Sequence, residues 1–517
     1  MTCKVDAVEG QLATRTGRAD ACRWVQGLGI AKLYLETYRH GHFVRDADLL
    51  QAIRDDFRAR GFEVCGCITP TQMSRRIADW KITTCFTDPT AHALLAETAR
   101  FTAALFDAII IDDFFFSSCT CPDCETHRRG RPWGEARGDL LREVAVRHLI
   151  GPARDVNPRV QFIIKYPCWY ETYFRAGYDV TGQTRLFDKT WIGTETRDPE
   201  SPHAGRRPQT AASWIQGWMN AVSQGKCGGG WYDPIDTSPL VFVEQARQTI
   251  LGGARESLLH CFDYLGTSNP GVVIHGGDLQ IAQGTADADA FRRELPGLRR
   301  LAALVGELEP EGVLLPKQPN DDPAAEAYLP GFIGLLGVPV LPAASLQPCR
   351  AALLAVQAAA FDGLETFVAD LRRAGTPLVV TGGLLARHPA LAAEAGPGFA
   401  TLEVPGDLWQ LMAMPRDALD ALRNRLLAPF GLAVSAPSRV SLHLFRRGPR
   451  RLIAVENFND GPVPVRLTPL AGHPPLPAGI ALALPGSSSA RVQREAAGAI
   501  TLELAARALA ALEASAS

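Results

Sequence analysis

The stretch Ala108-Ile-Ile-Ile-Asp-Asp-Phe-Phe-Phe116, followed at once by Ser117-Ser-Cys-Thr-Cys-Pro-Asp-Cys124, decides how the rest of the chain is read. A short apolar, β-branched run without polar alternation is a strand buried on both faces, the setting of a parallel sheet covered by helices. Two adjacent carboxylates, Asp112 and Asp113, close it. In parallel α/β folds the C-terminal strand ends face the ligand, because the functional loops gather there. Directly beyond, Cys119, Cys121 and Cys124 stand in C-x-C-x2-C spacing, which suits a loop pinned to a metal.

Outward from this stretch, the segment up to about Asn269 alternates strand-like and amphipathic helical runs, the pattern of repeated βα units. Strands are expected around Lys4–Val8, Lys32–Glu36, Glu63–Ile68, Ala108–Asp112, Val160–Lys165, Thr190–Thr194, Gly228–Tyr232 and Ser257–Phe262. Eight strands over roughly 270 residues match a (β/α)8 TIM barrel in size. Leu49, Leu50, Ile53 and Phe57 recur near helical spacing and place a helix over Ala47–Arg60.

From Glu311 to Val434, the runs Gly312–Pro316, Val338–Leu341, Ala352–Ala355 and Pro377–Thr381, with a helix over Gly363–Arg373, read as a doubly wound α/β domain of the glutamine-amidotransferase or flavodoxin kind. The Gly382-Gly383 pair is read as turn geometry. After Ser435, short β runs separated by Pro/Gly turns point to a small C-terminal antiparallel β-sandwich, and the Ala-rich Ala505–Ala514 to a short helix or frayed end. Domains are therefore expected at 1–310, 311–434 and 435–517.

At 517 residues the chain exceeds what one core usually supports. Charged residues make up 21% and nearly cancel to a net charge of -2, with no basic run to meet nucleic acid. No apolar run approaches the ~20 residues that span a bilayer, and the N-terminus carries no signal-peptide core. A cytoplasmic protein with no membrane partner is expected. Twelve cysteines spread along so long a chain read as reduced thiols plus one metal cluster.

Seven of the expected strands are followed by polar or aromatic clusters: Glu36–His40, Thr69–Gln72, Asp112-Asp113, Lys165–Glu171, Glu195–Asp198, Trp231–Asp233 and Asp263-Tyr264. Such repetition at one end of a barrel points to an active site. Acid/base and nucleophilic work at such a site takes two carboxyl groups, one protonated as acid and one ionised as nucleophile or base. Asp113, ahead of the apolar Phe114–Phe116 run that would raise its pKa, is the expected acid/base. Glu195 is its expected partner, with small residues leaving room beside it and Arg197 placed to hold it ionised. Asp112, alternating to the other side of the strand, is expected to hold an Arg or a backbone amide as an alternative to catalysis. Asp233 and Asp263 are reserve candidates, and Lys165 is read either as a substrate ligand or as the neutraliser of Asp113. Glu36, His40, Trp169, Arg197, Trp231 and Tyr264 complete the expected substrate-binding set, since a sugar site wants aromatic faces beside hydrogen-bonding groups.

Barrel, doubly wound domain and small β domain, with a cysteine cluster just past the fourth strand, resemble the family 42 glycoside hydrolases, the β-galactosidase-like enzymes. The resemblance implies a structural zinc on Cys119, Cys121 and Cys124 with an earlier cysteine, of which Cys85 is the natural fourth ligand and Cys67 its rival. It also implies a homo-oligomer, a trimer built through the second domain. That family carries an Asn-Glu pair at the end of its fourth strand, where this chain has Asp112-Asp113, and a Glu after the seventh, where Asp233 stands. Galactosidase activity does not carry over, and the chain resembles a divergent branch.

The expected function is a glycoside hydrolase acting on a small or oligomeric carbohydrate, with structural zinc and no organic cofactor. Two alternatives stand beside it: a non-catalytic carbohydrate-binding barrel, and a metal-dependent barrel lyase or hydrolase with its metal at Asp112, Asp113 and His40.

Overall fold

Residue spacing in the first strands fixes what faces the interior of a parallel barrel. In this computed structural model, eight strands run in sequential order, each parallel to the one before: β1 (Thr2–Cys3), β2 (Lys32–Arg39), β3 (Glu63–Ile68), β4 (Ala108–Ile111), β5 (Gln161–Tyr166), β6 (Lys189–Gly193), β7 (Cys227–Tyr232) and β8 (Glu256–Leu259). A side-chain hydrogen bond of 2.8 Å between Thr2 and His260 links the ends of the series. The structure describes all residues except 77–82, 202–204, 267–270, 276–277, 395, 397, 474, 478, 496–497 and 515–517.

Tyr34, Cys65, Cys67, Ile110, Ile163, Trp191, Trp231 and Leu258 pack together as one buried cluster drawn from seven neighbouring strands. Because side chains alternate along a strand, these positions face inward, and the same parity two residues on puts Glu36, Thr69, Asp112, Lys165, Gly193, Asp233 and His260 at the C-terminal end of the interior.

Helices separate the strands as the apolar spacing requires. The helix Ala47–Arg58 buries Leu50, Ile53 and Phe57 and is capped by the Asp46 side chain, which accepts from the Leu49 amide at 2.9 Å. Only the first expected strand fails. Residues Val5–Glu9 are a helix, and the strand is the two residues before it. Val5 and Val8 are buried at helical spacing, which outweighs their β-branched character.

Contacts along the chain divide it into two compact units, 1–206 with 222–245 and 256–295, and 207–221 with 246–255 and 296–517. The second unit contains a parallel sheet of β9 (Val313–Pro316), β10 (Val340–Ala343), β11 (Ala352–Leu354), β12 (Leu378–Thr381) and β13 (Phe399–Leu402), in spatial order β10-β9-β11-β12-β13. Gly382-Gly383 opens the short helix Gly382–Arg387, and the Glu326 carboxylate fills that turn, accepting from the Gly383 amide at 3.2 Å, the Val356 amide at 3.1 Å and the Thr381 hydroxyl at 2.9 Å.

Two antiparallel sheets follow. One orders Glu309–Glu311, Val440–Arg447, Arg450–Asn457, Leu509–Ala514 and Ile480–Leu484; the other orders Leu432–Ser435, Val463–Pro469, Ile500–Leu504 and Ala490–Arg494. The Ala-rich tail is therefore a strand, not a helix. An isolated helix of that length is marginal in water, whereas Leu509–Ala514 hydrogen-bonds to a strand on each side and buries Ala510, Ala511 and Leu512.

Candidate active site

The end of β4 supplies the first carboxylates. Ile110 faces inward, so Asp112 keeps that parity, while Asp113 lies past the last paired residue, Ile111, where alternation no longer applies. The expectation that Asp112 turns to the other side of the strand is corrected by this register: Asp112 lies inside. Its Oδ2 accepts from Arg39 Nη2 at 3.0 Å and Thr69 Oγ1 at 3.2 Å, and its Oδ1 accepts from the Asp113 amide at 2.8 Å. The same Arg39 and Thr69 also donate to Glu36, at 2.7–3.0 Å, and the Val5 amide donates to Glu36 at 3.2 Å. Asp112 thus holds an Arg and a backbone amide, and Glu36 lies fully buried in the same network. Burial pushes the Glu36 carboxyl above its ordinary range against the pull of Arg39.

Lys165, near the end of β5, stands between the other two carboxylates. Its Nζ donates to Asp113 Oδ2 at 2.5 Å and to Glu195 Oε1 at 2.8 Å, and lies 4.7 Å from the centre of the Trp231 ring. The two carboxylate oxygens therefore lie no further apart than those two contacts laid end to end, 5.3 Å. Burial pushes the Asp113 carboxyl up to about 7; the Lys165 ammonium opposes the rise, and Asp112 and Glu195 add to it. Burial works against the Lys165 ammonium, yet Asp113 and Glu195 hold it above the usual lysine value. The Asp113 backbone is fixed too, since its carbonyl accepts from the buried Tyr178 hydroxyl. No sequence pattern marked Tyr178, which lies 65 residues from its partner.

Glu195 follows β6, and the room beside it is the absent side chain of Gly193: a Cβ there would overlap Glu195 Oε2 and stand 2.8 Å from the Cys168 amide. Its cation is Lys165, whereas Arg197, expected to serve it, pairs with Asp233 at 3.0 and 3.3 Å. Arg197 itself has φ +57°, in the left-handed region. Asp233 also accepts from the Ile235 amide at 3.1 Å, and burial raises its carboxyl despite Arg197.

Asp263 is half-buried and accepts from the Lys4 amide at 3.1 Å. The Lys4 ammonium sits 4.4 Å from the Tyr264 ring centre and 3.3 Å from its hydroxyl. Trp231 is buried and stacks on His260 at 5.1 Å, while the half-buried Trp169 packs edge-on to Phe116 at 5.2 Å. His40 is exposed, with φ +51°, and its amide donates to Thr71 at 2.8 Å. The neighbouring His42 meets Glu9 on the surface.

Beyond Asp113 the chain carries the cysteines. The sulfurs of Cys85, Cys119, Cys121 and Cys124 all lie within 4.8 Å of one another, and three of their separations are 3.6, 3.7 and 3.8 Å. A tetrahedral zinc with ~2.3 Å bonds to sulfur needs edges of ~3.8 Å, so the four thiols fit that ion. Cys67 belongs to the barrel interior and is not in this group. All twelve cysteines are free of disulfides. No helix among the described residues is long and apolar enough to cross a membrane.

The chain is similar to known proteins in both sequence and fold. A 23% identical, 232-residue match to an uncharacterized protein of Saccharolobus solfataricus takes in 40% of this chain and 38% of that relative's length. The β-galactosidases of Rahnella sp. R3 and of Bacillus circulans sp. alkalophilus share the fold with TM-scores of 0.60. Their identities are 11% and 10%, covering 96% and 99% of this chain and 95% and 98% of theirs. A family 42 β-galactosidase of G. stearothermophilus aligns over 99% of this chain and 97% of its own, at 11% identity and a TM-score of 0.58. The resemblance read from the domain order holds at the level of the fold. Residues 1–272, more than half of the 517, match the family model described as probable glycosyl hydrolase, catalytic domain. The chain belongs to that glycosyl hydrolase family and is a glycosidase by class.

Proposed function

We propose that this glycosidase cleaves a small or oligomeric carbohydrate by double displacement, with Asp113 as acid/base and Glu195 as nucleophile. The observation that carries the reading is the shared Lys165, which keeps the two carboxylate oxygens within 5.3 Å. Retaining enzymes hold their carboxyl groups about 5–5.5 Å apart, whereas inverting enzymes need ~6.5–9.5 Å to admit a water. In the first step Glu195 forms a bond to the anomeric carbon as the glycosidic C–O bond breaks, and the Asp113 proton passes to the leaving oxygen. In the second, water attacks the anomeric carbon, its proton goes to Asp113, and the bonding pair returns to Glu195. Asp112 and Glu36 hold Arg39 and the Asp113 amide in place. The flanking Trp169, Tyr264 and Asp263 would meet sugar faces and hydroxyls.

The lyase reading with a metal at Asp112, Asp113 and His40 finds less support, because Arg39 and Lys165 already stand where the two carboxylates would receive a cation. Zinc on Cys85, Cys119, Cys121 and Cys124 would be structural, since four thiolates leave no position for water. A cytoplasmic homotrimer with domains at 1–310, 311–434 and 435–517 completes the proposal.

The test is hydrolysis of a panel of aryl glycosides by wild type, D113N and E195Q, with the product anomer followed by NMR. Loss of turnover by orders of magnitude in both variants, with the starting anomeric configuration retained, supports the reading. Inversion, or an unimpaired E195Q, moves the second carboxylate to Asp233 or Asp263. Sugar binding without turnover by wild type would make this a binding barrel.

A further inference from the structure

Lys165 is buried, on an inward position of β5, with its charge divided between two carboxylates that have opposite tasks in the proposed reaction. We propose that Lys165 is a positioning residue that never binds substrate: its one ammonium, shared by Asp113 and Glu195, is drawn wholly to Asp113 when Glu195 becomes an ester, and is shared again when that ester is hydrolysed. This rests on the assignment of Asp113 and Glu195 above.

The geometry argues against a substrate ligand. Two of the three ammonium protons are committed at 2.5 and 2.8 Å, and the Trp231 ring, 4.7 Å away, covers another side. An ammonium so placed bears on both carboxyl groups at once. Before attack, Glu195 must be anionic and Asp113 protonated; a cation between them stabilises the single shared negative charge. Once the ester forms, the negative charge on Glu195 is gone. Asp113, having given its proton to the leaving group, is an anion facing the whole ammonium charge. Hydrolysis reverses both changes: water adds its oxygen to the anomeric carbon, its proton goes to Asp113, and Glu195 leaves as carboxylate. No co-reactant beyond water is needed. Asp112 is the other carboxylate bearing on Asp113, but it is engaged by Arg39 and Thr69 and, unlike Glu195, forms no bond to the sugar in either step.

The variants K165M and K165R are compared with wild type, D113N and E195Q on the best aryl glycoside of the panel, with folding checked by thermal melting and kcat/KM measured across pH. In K165M both limbs of the pH profile should move to higher pH, by roughly 1–3 units for carboxyls that lose a neighbouring cation, and the optimum rate should fall by ~10²–10⁴-fold. K165R should keep the limbs near their wild-type positions. K165A supplies the second measurement: added ethylamine should restore part of its turnover and bring the limbs back. A K165M enzyme with raised KM and unmoved limbs overturns the proposal while leaving the two carboxylates in their roles. An E195Q enzyme that still turns over defeats the carboxylate assignment and the proposal together.

Discussion

Arg197 pairs with Asp233 through two nitrogens, at 3.0 and 3.3 Å, although Glu195 is only two residues away in sequence. The site therefore holds three separate cation partnerships: Arg39 for Glu36 and Asp112, Lys165 for Asp113 and Glu195, and Arg197 for Asp233. Losing Arg197 would strand a buried carboxylate, a cost of about 2–4 kcal/mol after allowance for the partial exposure of the guanidinium. R197M should melt at lower temperature than wild type, with the deficit shrinking as falling pH protonates Asp233. R197M/D233N should recover much of it, which differential scanning calorimetry can decide. Equal melting of R197M and wild type across pH would mean that the pair carries no stability.

Asp113 sets a second expectation. A general acid must be protonated at the start of the cycle, and burial places this carboxyl at about 7. Activity should accordingly fall as pH rises through about 7, and D113N should lose both the activity and that limb. The comparison needs an aryl glycoside with a poor leaving group, so that protonation stays rate-limiting.

The cysteine group predicts a stoichiometry. Purified protein should contain one zinc per chain by elemental analysis, and C124S or C85S should lower that value and the melting temperature together. Metal-linked sites fold with their ion, so chelation should reproduce the loss in wild type. A metal-free wild type with unchanged melting in chelator would leave four unligated thiols.

Asp287 lies fully buried in the first turn of the helix Thr285–Gly306, and burial pushes its carboxyl up to about 7 from an unfolded value near 3.8. The folded state holds that proton longer than the unfolded one, so wild type should lose stability as pH climbs from about 4 to about 7. D287N removes the titration. It should be the more stable protein above pH 7, by about 2–4 kcal/mol at ~1.4 kcal/mol per unit, with the gap vanishing below pH 4. Chemical denaturation at pH 4 and pH 8 measures both ends.

Much of the barrel was legible because buried parallel strands leave continuous apolar runs such as Ala108–Ile111, and the carboxylates closing them follow from strand ends. What escaped depended on geometry that no local pattern encodes. Arg197 meets Asp233, 36 residues on, and Lys165 bridges both carboxylates because strands five and six bring it beside Glu195, 30 residues on. Tyr178 reaches Asp113 across 65 residues, and Phe399–Leu402 earns its place as a strand only by pairing with β12. The alanines of Leu509–Ala514 have the strongest helix preference of any residue, yet a slot between two strands overrode it.

That slot also imposes an order of events during synthesis. Arg450–Asn457 and Ile480–Leu484 become neighbours in one sheet only through Leu509–Ala514, which is made after both. Until the ribosome has released those residues, two strands carry unpaired edges of the kind that recruit other chains. A nascent chain stalled before Leu509 would therefore be sticky while its barrel, built from residues some 250 positions earlier, had already had time to form.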